Sequence, residues 1–145
     1  MKFFNEHLCI ASDHAGYKLK EDIKNYLISK NVSIIDLGPL SDGSVDYPVF
    51  AKKVSNRLRS KRSDKGILIC GSGTGMAISA NKTKGIRAAV CYNIKSTKLS
   101  RQHNNANVIC IGARFTNKSI ALKLVATFLK TKFEGGRHLR RVKKI

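Results

Sequence analysis

Residues 65–80 combine a cysteine with a glycine-rich turn, and they are the part of the chain best suited to chemistry. The apolar run 67–69 predicts a short strand that is buried on both faces of a parallel sheet. Three glycines then break the strand and allow a sharp turn: Gly71, Gly73 and Gly75. From Met76 onward the residue types suit a helix.

Cys70 stands where the predicted strand meets this turn. A strand, a glycine turn and a helix in this order point backbone N–H groups into the space above the end of the strand. Such groups bind an anion or a developing oxyanion, and they favour the thiolate form of a neighbouring cysteine. We therefore interpret Cys70 as an ionisable thiol beside an anion site. The structural alternative is a buried thiol that acts as a small hydrophobic side chain.

The turn does not fit the two common nucleotide-binding motifs. Its spacing is G-x-G-x-G, and Met76 takes the place of the third glycine of the dinucleotide fingerprint. No Asp or Glu occurs between Asp64 and Glu134, so the acidic residue that would bind ribose hydroxyls is missing. The G-K-[ST] of a phosphate-binding P-loop is missing as well. The same lack of carboxylates leaves Cys70 or a histidine as the base near this turn.

The composition limits the classes of protein to which this chain can belong. The 145 residues suit one domain, which we expect over 1–145 with a basic tail from about residue 131. No apolar run is long enough to span a membrane and no signal-peptide pattern is present, so we expect a cytoplasmic protein without membrane association. The four cysteines form no C-x-x-C pair, so we expect neither disulfides nor a metal site.

The net charge of +19 raises nucleic acid as a partner. However, the basic residues are scattered, and aromatic side chains do not alternate with them as in single-strand binding surfaces. We therefore interpret the charge as a solvated surface and expect no nucleic-acid partner.

Apolar runs alternate with amphipathic segments along the whole chain. Strands are predicted at 7–11, 32–35, 67–69, 87–91 and 108–111. Helices are predicted at 17–30, 47–59, from 76, at 94–103 and at 117–130, with Leu99 as the main apolar anchor of the fourth. This alternation predicts a three-layer, Rossmann-like α/β fold with a five-stranded parallel sheet.

Right-handed crossovers bring all strand exits to one edge of such a sheet, where sites of this fold class lie. The polar residues expected at this edge are Asp13, His14, Tyr47, Cys70 with the turn after it, and Arg114. His103 and Asn104 lie at the far end of a helix, so they would reach this edge only from a neighbouring subunit.

Three of these features have structural alternatives. His14 follows an aspartate in a loop, where an Asx turn would explain it. His103 suits a helix C-terminus, where the helix dipole favours a cation. The basic stretch 137–141 is either a frayed tail or a phosphate clamp, for which arginine is well shaped.

Nine short motifs occur in collinear order over nearly the whole chain, at 13–16, 46–48, 66–75, 80–82, 85–88, 99–104, 107–108, 112–114 and 133–138. They read DHAG, DYP, GILICGSGTG, ANK, GIRA, LSRQHN, NV, GAR and FEGGRH. Each is weak alone, but together they resemble the ribose/galactose isomerase family, and within it the ribose-5-phosphate isomerase B group.

The resemblance implies an aldose–ketose isomerase of the non-oxidative pentose phosphate pathway. It would interconvert ribose 5-phosphate and ribulose 5-phosphate through an enediolate without metal or organic cofactor. Cys70 would move a proton between C2 and C1, with Ser72 relaying protons. The oxyanion would be held at the turn, by Gly71, Ser72, Gly73, Thr74 and Gly75. One branch of the family uses a glutamate where this chain has Met76, which places the chain with the thiol type.

The resemblance also implies the remaining roles. His103 would open the furanose ring, with Asn104 on a sugar hydroxyl. Substrate contacts would come from Asp13, His14 and Tyr47, and phosphate contacts from Arg114, Arg137 and Arg141. Family members are homodimers, some assembling into tetramers, with each site built from two chains.

Two other functions compete with this one. A six-carbon sugar phosphate, allose or galactose 6-phosphate, is the alternative substrate within the family. A non-catalytic module that binds polyanions through the +19 charge is the alternative from another class.

Overall fold

The computed structural model describes residues 6–145. Five strands are present: β1 (Leu8–Ser12), β2 (Ile34–Asp36), β3 (Lys65–Cys70), β4 (Ala88–Val90) and β5 (Val108–Gly112). Six helices follow or separate them: α1 (Tyr17–Ser29), α2 (Tyr47–Arg59), α3 (Thr74–Ala80), α4 (Ile94–Asn104), α5 (Lys118–Lys130) and α6 (Arg137–Val142).

The five strands form one parallel sheet in the order β2-β1-β3-β5-β4. β3 is central and pairs with β1 on one side and β5 on the other, with Cys70 opposite Gly112 at its end. The predicted three-layer α/β fold with a five-stranded parallel sheet is thus confirmed. From β1 the chain continues to β2 on one side and then to β3 on the other side of β1. This change of direction is a topological switch point, and it opens a crevice at the carboxyl ends of β1 and β3.

The core has one layer on each face of the sheet, since successive side chains of a strand point to opposite faces. On one face, Ile67 and Ile69 pack with residues of α1 and α5 such as Ile23 and Leu124. On the other face, Leu68 and Cys70 pack with α2 and α3. Burial on both faces explains why β3 is apolar without interruption from Ile67 to Cys70.

The element boundaries differ from the predicted ones by at most two residues, but two features differ in kind. Leu99 does not anchor α4: it is 36% exposed, and the buried side of this helix consists of Thr97, Ser100 and Arg101. These polar residues are buried because they hydrogen-bond locally, for example Arg101 Nη1 to the carbonyl of Ala106 at 2.6 Å. The basic tail contains the short helix α6, which was not predicted.

A buried ion-pair network joins α1 to the end of β2. The side chain of Lys20 is fully buried, and its Nζ donates to Asp36 Oδ2 at 2.7 Å and to Glu21 Oε1 at 2.8 Å. Lys24 Nζ bonds to the same two carboxylates. Lys20 is therefore an exception to the expectation that the basic residues form a solvated surface. Burial alone would raise the pKa of Asp36, but hydrogen bonds from Lys20 and Lys24 lower it overall.

We expect the substitution Lys20→Met to lower the free energy of unfolding by about 2–3 kcal/mol, because it leaves two carboxylates with Lys24 as their remaining cationic partner in this network. Lys18→Met, at an exposed position of the same helix, should change it by less than about 0.5 kcal/mol. Carboxylates with a lowered pKa stabilise the fold above about pH 4 and lose that effect as they are protonated. Urea unfolding should therefore show a wild-type advantage at pH 7 that shrinks below pH 4. An equal advantage at both pH values would contradict the ion-pair account.

No helix within residues 6–145 combines the length and the apolar character needed to cross a membrane.

Candidate active site

The thiol of Cys70 lies at the carboxyl end of the central strand, under the glycine turn. Only 4% of this residue is exposed, and its Sγ accepts a hydrogen bond from the backbone N–H of Gly73 at 3.1 Å. Gly73 has a φ of +79°, a conformation that side chains rarely adopt, so glycine is required there. An N–H donor on the sulfur stabilises a negative charge at this atom. The turn thus places an N–H donor directly on the sulfur.

Two side chains from other elements pack against the turn. The Tyr47 ring, at the start of α2, lies so close to Gly75 that a Cβ there would be 2.8 Å from the ring. The Arg114 guanidinium, after β5, lies over Gly71, where a Cβ would be 2.9 Å from Nη1. The backbone N–H of Arg114 also donates to the carbonyl of Gly71 at 3.0 Å. The glycines therefore make room for an aromatic ring and a cation beside the thiol.

Asp13 and His14 occupy the neighbouring exit of β1. The N–H of Asp13 donates to the carbonyl of Ile69 at 3.0 Å, and its Oδ1 accepts from the N–H of Gly16 at 2.9 Å. That carboxylate oxygen is thus used for the turn into α1, as the structural alternative supposed. His14 is exposed, and its Nδ1 accepts from the N–H of Val45 at 3.2 Å. Acceptance at Nδ1 puts the proton of a neutral imidazole on Nε2, where it is available to a ligand.

Ser72 and Tyr92 hydrogen-bond to the backbone of the turn, and Tyr92 was not among the residues predicted from the sequence. Ser72 Oγ accepts from the N–H of Thr74 at 3.2 Å. Tyr92, just after β4, donates its hydroxyl to the carbonyl of Ser72 at 3.0 Å and packs edge-on against Phe115. Its place after a strand at the carboxyl edge is the signal that would have identified it.

The remaining cysteines differ from Cys70 in environment. Cys9, Cys91 and Cys110 are fully buried in the sheet and its flanks. Burial raises the pKa of Cys9 to about 11 and that of Cys110 well above its usual value. These thiols therefore stay protonated at neutral pH and serve as small core residues.

A second cluster lies at the C-terminal end of α4. This helix ends after Asn104, because Asn105 adopts a left-handed φ of 45°. The rings of His103 and His138 stack with centroids 4.2 Å apart and planes 12° apart. Glu134 Oε2 lies 3.6 Å from His138 Nε2.

A cavity of about 290 Å³ adjoins this cluster. It is lined by His103, Asn104, His138, Arg141, Val142 and Ile145. Arg137 lies one helical turn before Arg141 on α6, so the two arginines share a face of that helix. The cavity is therefore walled by two histidines, an amide and the Arg141 side chain.

The ligand atoms of His103, Glu134 and His138 lie within 4.8 Å of one another, a spacing that suggests a metal site. An imidazole, however, binds a metal in the plane of its ring. Parallel stacked rings direct their lone pairs side by side, so both would have to rotate before they could bind one ion. The stacked arrangement therefore does not favour a metal site at this cluster.

The two clusters lie at opposite edges of the sheet. Cys70 ends β3, whereas Asn104 lines a further cavity together with Arg87 and Ala88, at the beginning of β4. The six residues of β3 span roughly 16–20 Å at the rise of a parallel strand. Within one chain, His103 and Cys70 therefore lie toward opposite ends of the strands.

Comparison with known proteins identifies the group to which this architecture belongs. A model of the family described as Ribose/Galactose Isomerase matches residues 8–145. The chain belongs to the ribose/galactose isomerase family. Membership makes it an aldose–ketose isomerase, and the resemblance drawn from the nine motifs is confirmed.

Curated relatives in the ribose/galactose isomerase family match over nearly their whole length. A probable ribose-5-phosphate isomerase B of Mycoplasma genitalium is 49% identical over 142 residues, covering 96% of this chain and 93% of the relative. The ribose-5-phosphate isomerase B of Escherichia coli is 42% identical over 138 residues, covering 95% and 93%.

Solved structures in the same family share the fold closely. The ribose 5-phosphate isomerase of Thermotoga maritima has a TM-score of 0.95 and 48% identity, with 97% of each chain covered. The Mycoplasma genitalium ribose-5-phosphate isomerase B, solved with bound ribulose-5-phosphate, has a TM-score of 0.92 and 45% identity, covering 97% of this chain and 94% of that one.

Proposed function

We propose that this protein interconverts D-ribose 5-phosphate and D-ribulose 5-phosphate, with Cys70 as the base. The observation that carries the proposal is the hydrogen bond from the Gly73 N–H to Cys70 Sγ, in a turn flanked by Tyr47 and Arg114. The related Mycoplasma structure with bound ribulose-5-phosphate supports the choice of substrate.

The proposed chemistry is a proton transfer between adjacent carbons. The Cys70 thiolate takes the proton from C2 of the open-chain aldose, and the electrons form an enediolate. The oxyanion at the former carbonyl is stabilised by the N–H groups of the turn, which are already oriented by the fold. The thiol then returns the proton at C1, which gives the ketose, and Ser72 relays protons between the oxygens.

Ring opening precedes this step, because ribose 5-phosphate closes into a furanose. In our proposal His103 protonates the ring oxygen and accepts the proton of the anomeric hydroxyl. Asn104 beside it holds a sugar hydroxyl. Ribulose 5-phosphate has no such ring, because its C5 oxygen is already in the phosphate ester.

The positions of the two clusters favour a site assembled from two chains. His103, Asn104, Arg137 and Arg141 lie at the edge of the sheet opposite to Cys70. A homodimer that places this edge beside the thiol of its neighbour would complete two equivalent sites by symmetry. We propose such a dimer as the active form.

Arginine side chains bind the phosphate in this proposal, and arginine suits it because its planar fork matches phosphate oxygens. Arg114 reaches from the thiol side, whereas Arg137 and Arg141 come from α6 of the neighbouring chain. His14 Nε2 and Asp13 complete the polar surroundings of the sugar.

We expect Arg137→Ala to raise the KM for ribose 5-phosphate about tenfold, because it removes a charge-assisted contact that is present before and during the reaction. The kcat should change by less than about threefold. Arg140→Ala, on the same helix and also exposed, is the matched control and should leave both values near wild type. An unchanged KM in the Arg137 variant would contradict the phosphate contact.

We expect His103→Asn to abolish turnover of ribose 5-phosphate while the enzyme still exchanges the C1 hydrogen of ribulose 5-phosphate with D₂O. The ketose needs no ring opening, so the Cys70 step remains available to it. NMR of the C1 position measures the exchange. Loss of both reactions to the same extent would show that His103 acts elsewhere than in ring opening.

The function itself is tested by interconversion of ribose and ribulose 5-phosphates in the presence of a chelator. Allose 6-phosphate and galactose 6-phosphate serve as six-carbon comparisons in the same assay. A higher kcat/KM for a six-carbon substrate would change the substrate assignment within the family. Salt-dependent binding to random DNA without any turnover would favour the polyanion-binding alternative instead.

A further inference from the structure

His138 is buried against His103 and has no role in the chemistry proposed above. Its residue is 8% exposed, and its ring lies parallel to that of His103 at 4.2 Å. The two residues come from different elements, α4 and α6, so the stack is a tertiary contact between these helices. The His138 ring covers one face of the His103 ring.

The charges around the stacked His103 and His138 rings disfavour protonation of both rings at once. Two imidazolium rings in contact repel each other, so the pair takes up its second proton much less readily than its first. Burial lowers the pKa of His138, and the neighbouring His103, Arg137 and Arg141 lower it further, while Glu134 acts in the opposite direction. The lowered pKa of His138 favours its uncharged ring at neutral pH.

We propose that His138 is a positioning residue for His103. Its neutral ring is a flat support that holds the His103 imidazole in the orientation needed for ring opening, and Glu134 orients His138 in turn. The inference rests on the proposed function, since it assigns a helper to the ring-opening step. It concerns only that step and not the proton transfer at Cys70.

A second role must be distinguished from this one. His138 also lines the cavity with Arg141, so it is placed where it could contact a phosphate. A phosphate contact would act on aldose and ketose alike and would appear in KM. A positioning role in ring opening acts on the aldose alone and appears in kcat.

The experiment compares two reactions in three variants of the full-length enzyme. His138→Ala removes the supporting ring, His138→Phe keeps a flat ring without nitrogens, and Leu139→Ala is an exposed neighbour on the same helix as control. The reactions are isomerisation of ribose 5-phosphate and exchange of the C1 hydrogen of ribulose 5-phosphate with D₂O.

We expect His138→Ala to lower kcat for ribose 5-phosphate by about tenfold to a hundredfold, because a misplaced acid–base group loses rate steeply with distance. Exchange at C1 of ribulose 5-phosphate should stay within about twofold of wild type. His138→Phe should recover most of the lost kcat, and Leu139→Ala should match wild type in both reactions.

A titration of the histidine rings by NMR tests the contacts of His138 independently of activity. In Glu134→Gln the pKa of His138 should fall, because the carboxylate that favours its protonated form is gone. The titration of the pair in wild type should show two separate steps, reduced to one in His138→Phe.

Several results would overturn the inference: equal losses in both reactions for His138→Ala, a change in KM alone, or a His138→Phe variant as slow as His138→Ala. An unshifted His138 titration in Glu134→Gln would remove Glu134 from the scheme. Failure of the wild-type enzyme to isomerise either sugar would overturn the proposed function, and this inference with it.

Discussion

Cys70→Ala is expected to reduce the isomerisation of ribose 5-phosphate by at least about a thousandfold, because it removes the group that we propose as the base. The turn remains able to accept an oxyanion, and the arginines that bind phosphate are untouched. The Kd for ribulose 5-phosphate should therefore stay within about threefold of wild type. Initial-rate assays give the first value, and calorimetric titration of the inactive variant gives the second.

The matched control for this variant is Cys110→Ala, which makes the same small change in the neighbouring strand. Cys110 is fully buried opposite Leu68, and its thiol is held in the protonated form by burial. We expect that variant to be somewhat less stable but to turn over normally. A Cys70→Ala enzyme with near-normal rates would remove the thiol from the mechanism.

Mixing the two inactive variants Cys70→Ala and His103→Asn is expected to restore activity. In a heterodimer, one site combines an intact thiol with an intact histidine and the other site lacks both. Random exchange of subunits makes half of the dimers heterodimers, so about a quarter of the wild-type activity should appear. The proteins are mixed under mild denaturant, diluted, and assayed with ribose 5-phosphate.

The double variant Cys70→Ala/His103→Asn provides the opposite test. When it is mixed with an equal amount of wild type, both sites of each heterodimer lack one residue. Activity should then fall to about a quarter of that of an all-wild-type sample, rather than to half. Two results together would show that each site uses residues of a single chain. These are no recovery when the two single variants are mixed, and a fall to only half when wild type is mixed with the double variant.

The alternation of strands and helices was readable from the sequence because each element carries its own local pattern. The limits of α2, Tyr47–Arg59, were predicted as they are, since Tyr47-Pro48 and the apolar spacing mark that helix without reference to its neighbours. The cysteine followed by three glycines indicated the candidate chemical centre in the same way. The parallel sheet then followed from the alternation alone.

Contacts between distant residues could not be read in this way. The burial of Lys20 depends on Asp36, sixteen residues later, coming to lie beside it. Leu99 had the residue type of an anchor, but the packing of α4 buries Thr97, Ser100 and Arg101 instead. These outcomes depend on which element packs against each face of a helix, and the sequence of one segment does not specify that element.

The same distinction divides the candidate site. The local residue pattern was enough to predict a thiol at the end of a buried strand beside amide donors. The packing of Tyr47 and Arg114 on the glycines, and the stacking of His103 on His138 at the other edge, became known only from the folded chain. Side chains far apart in the chain meet through the crossovers of the sheet, and their distances are fixed only when its two faces are packed.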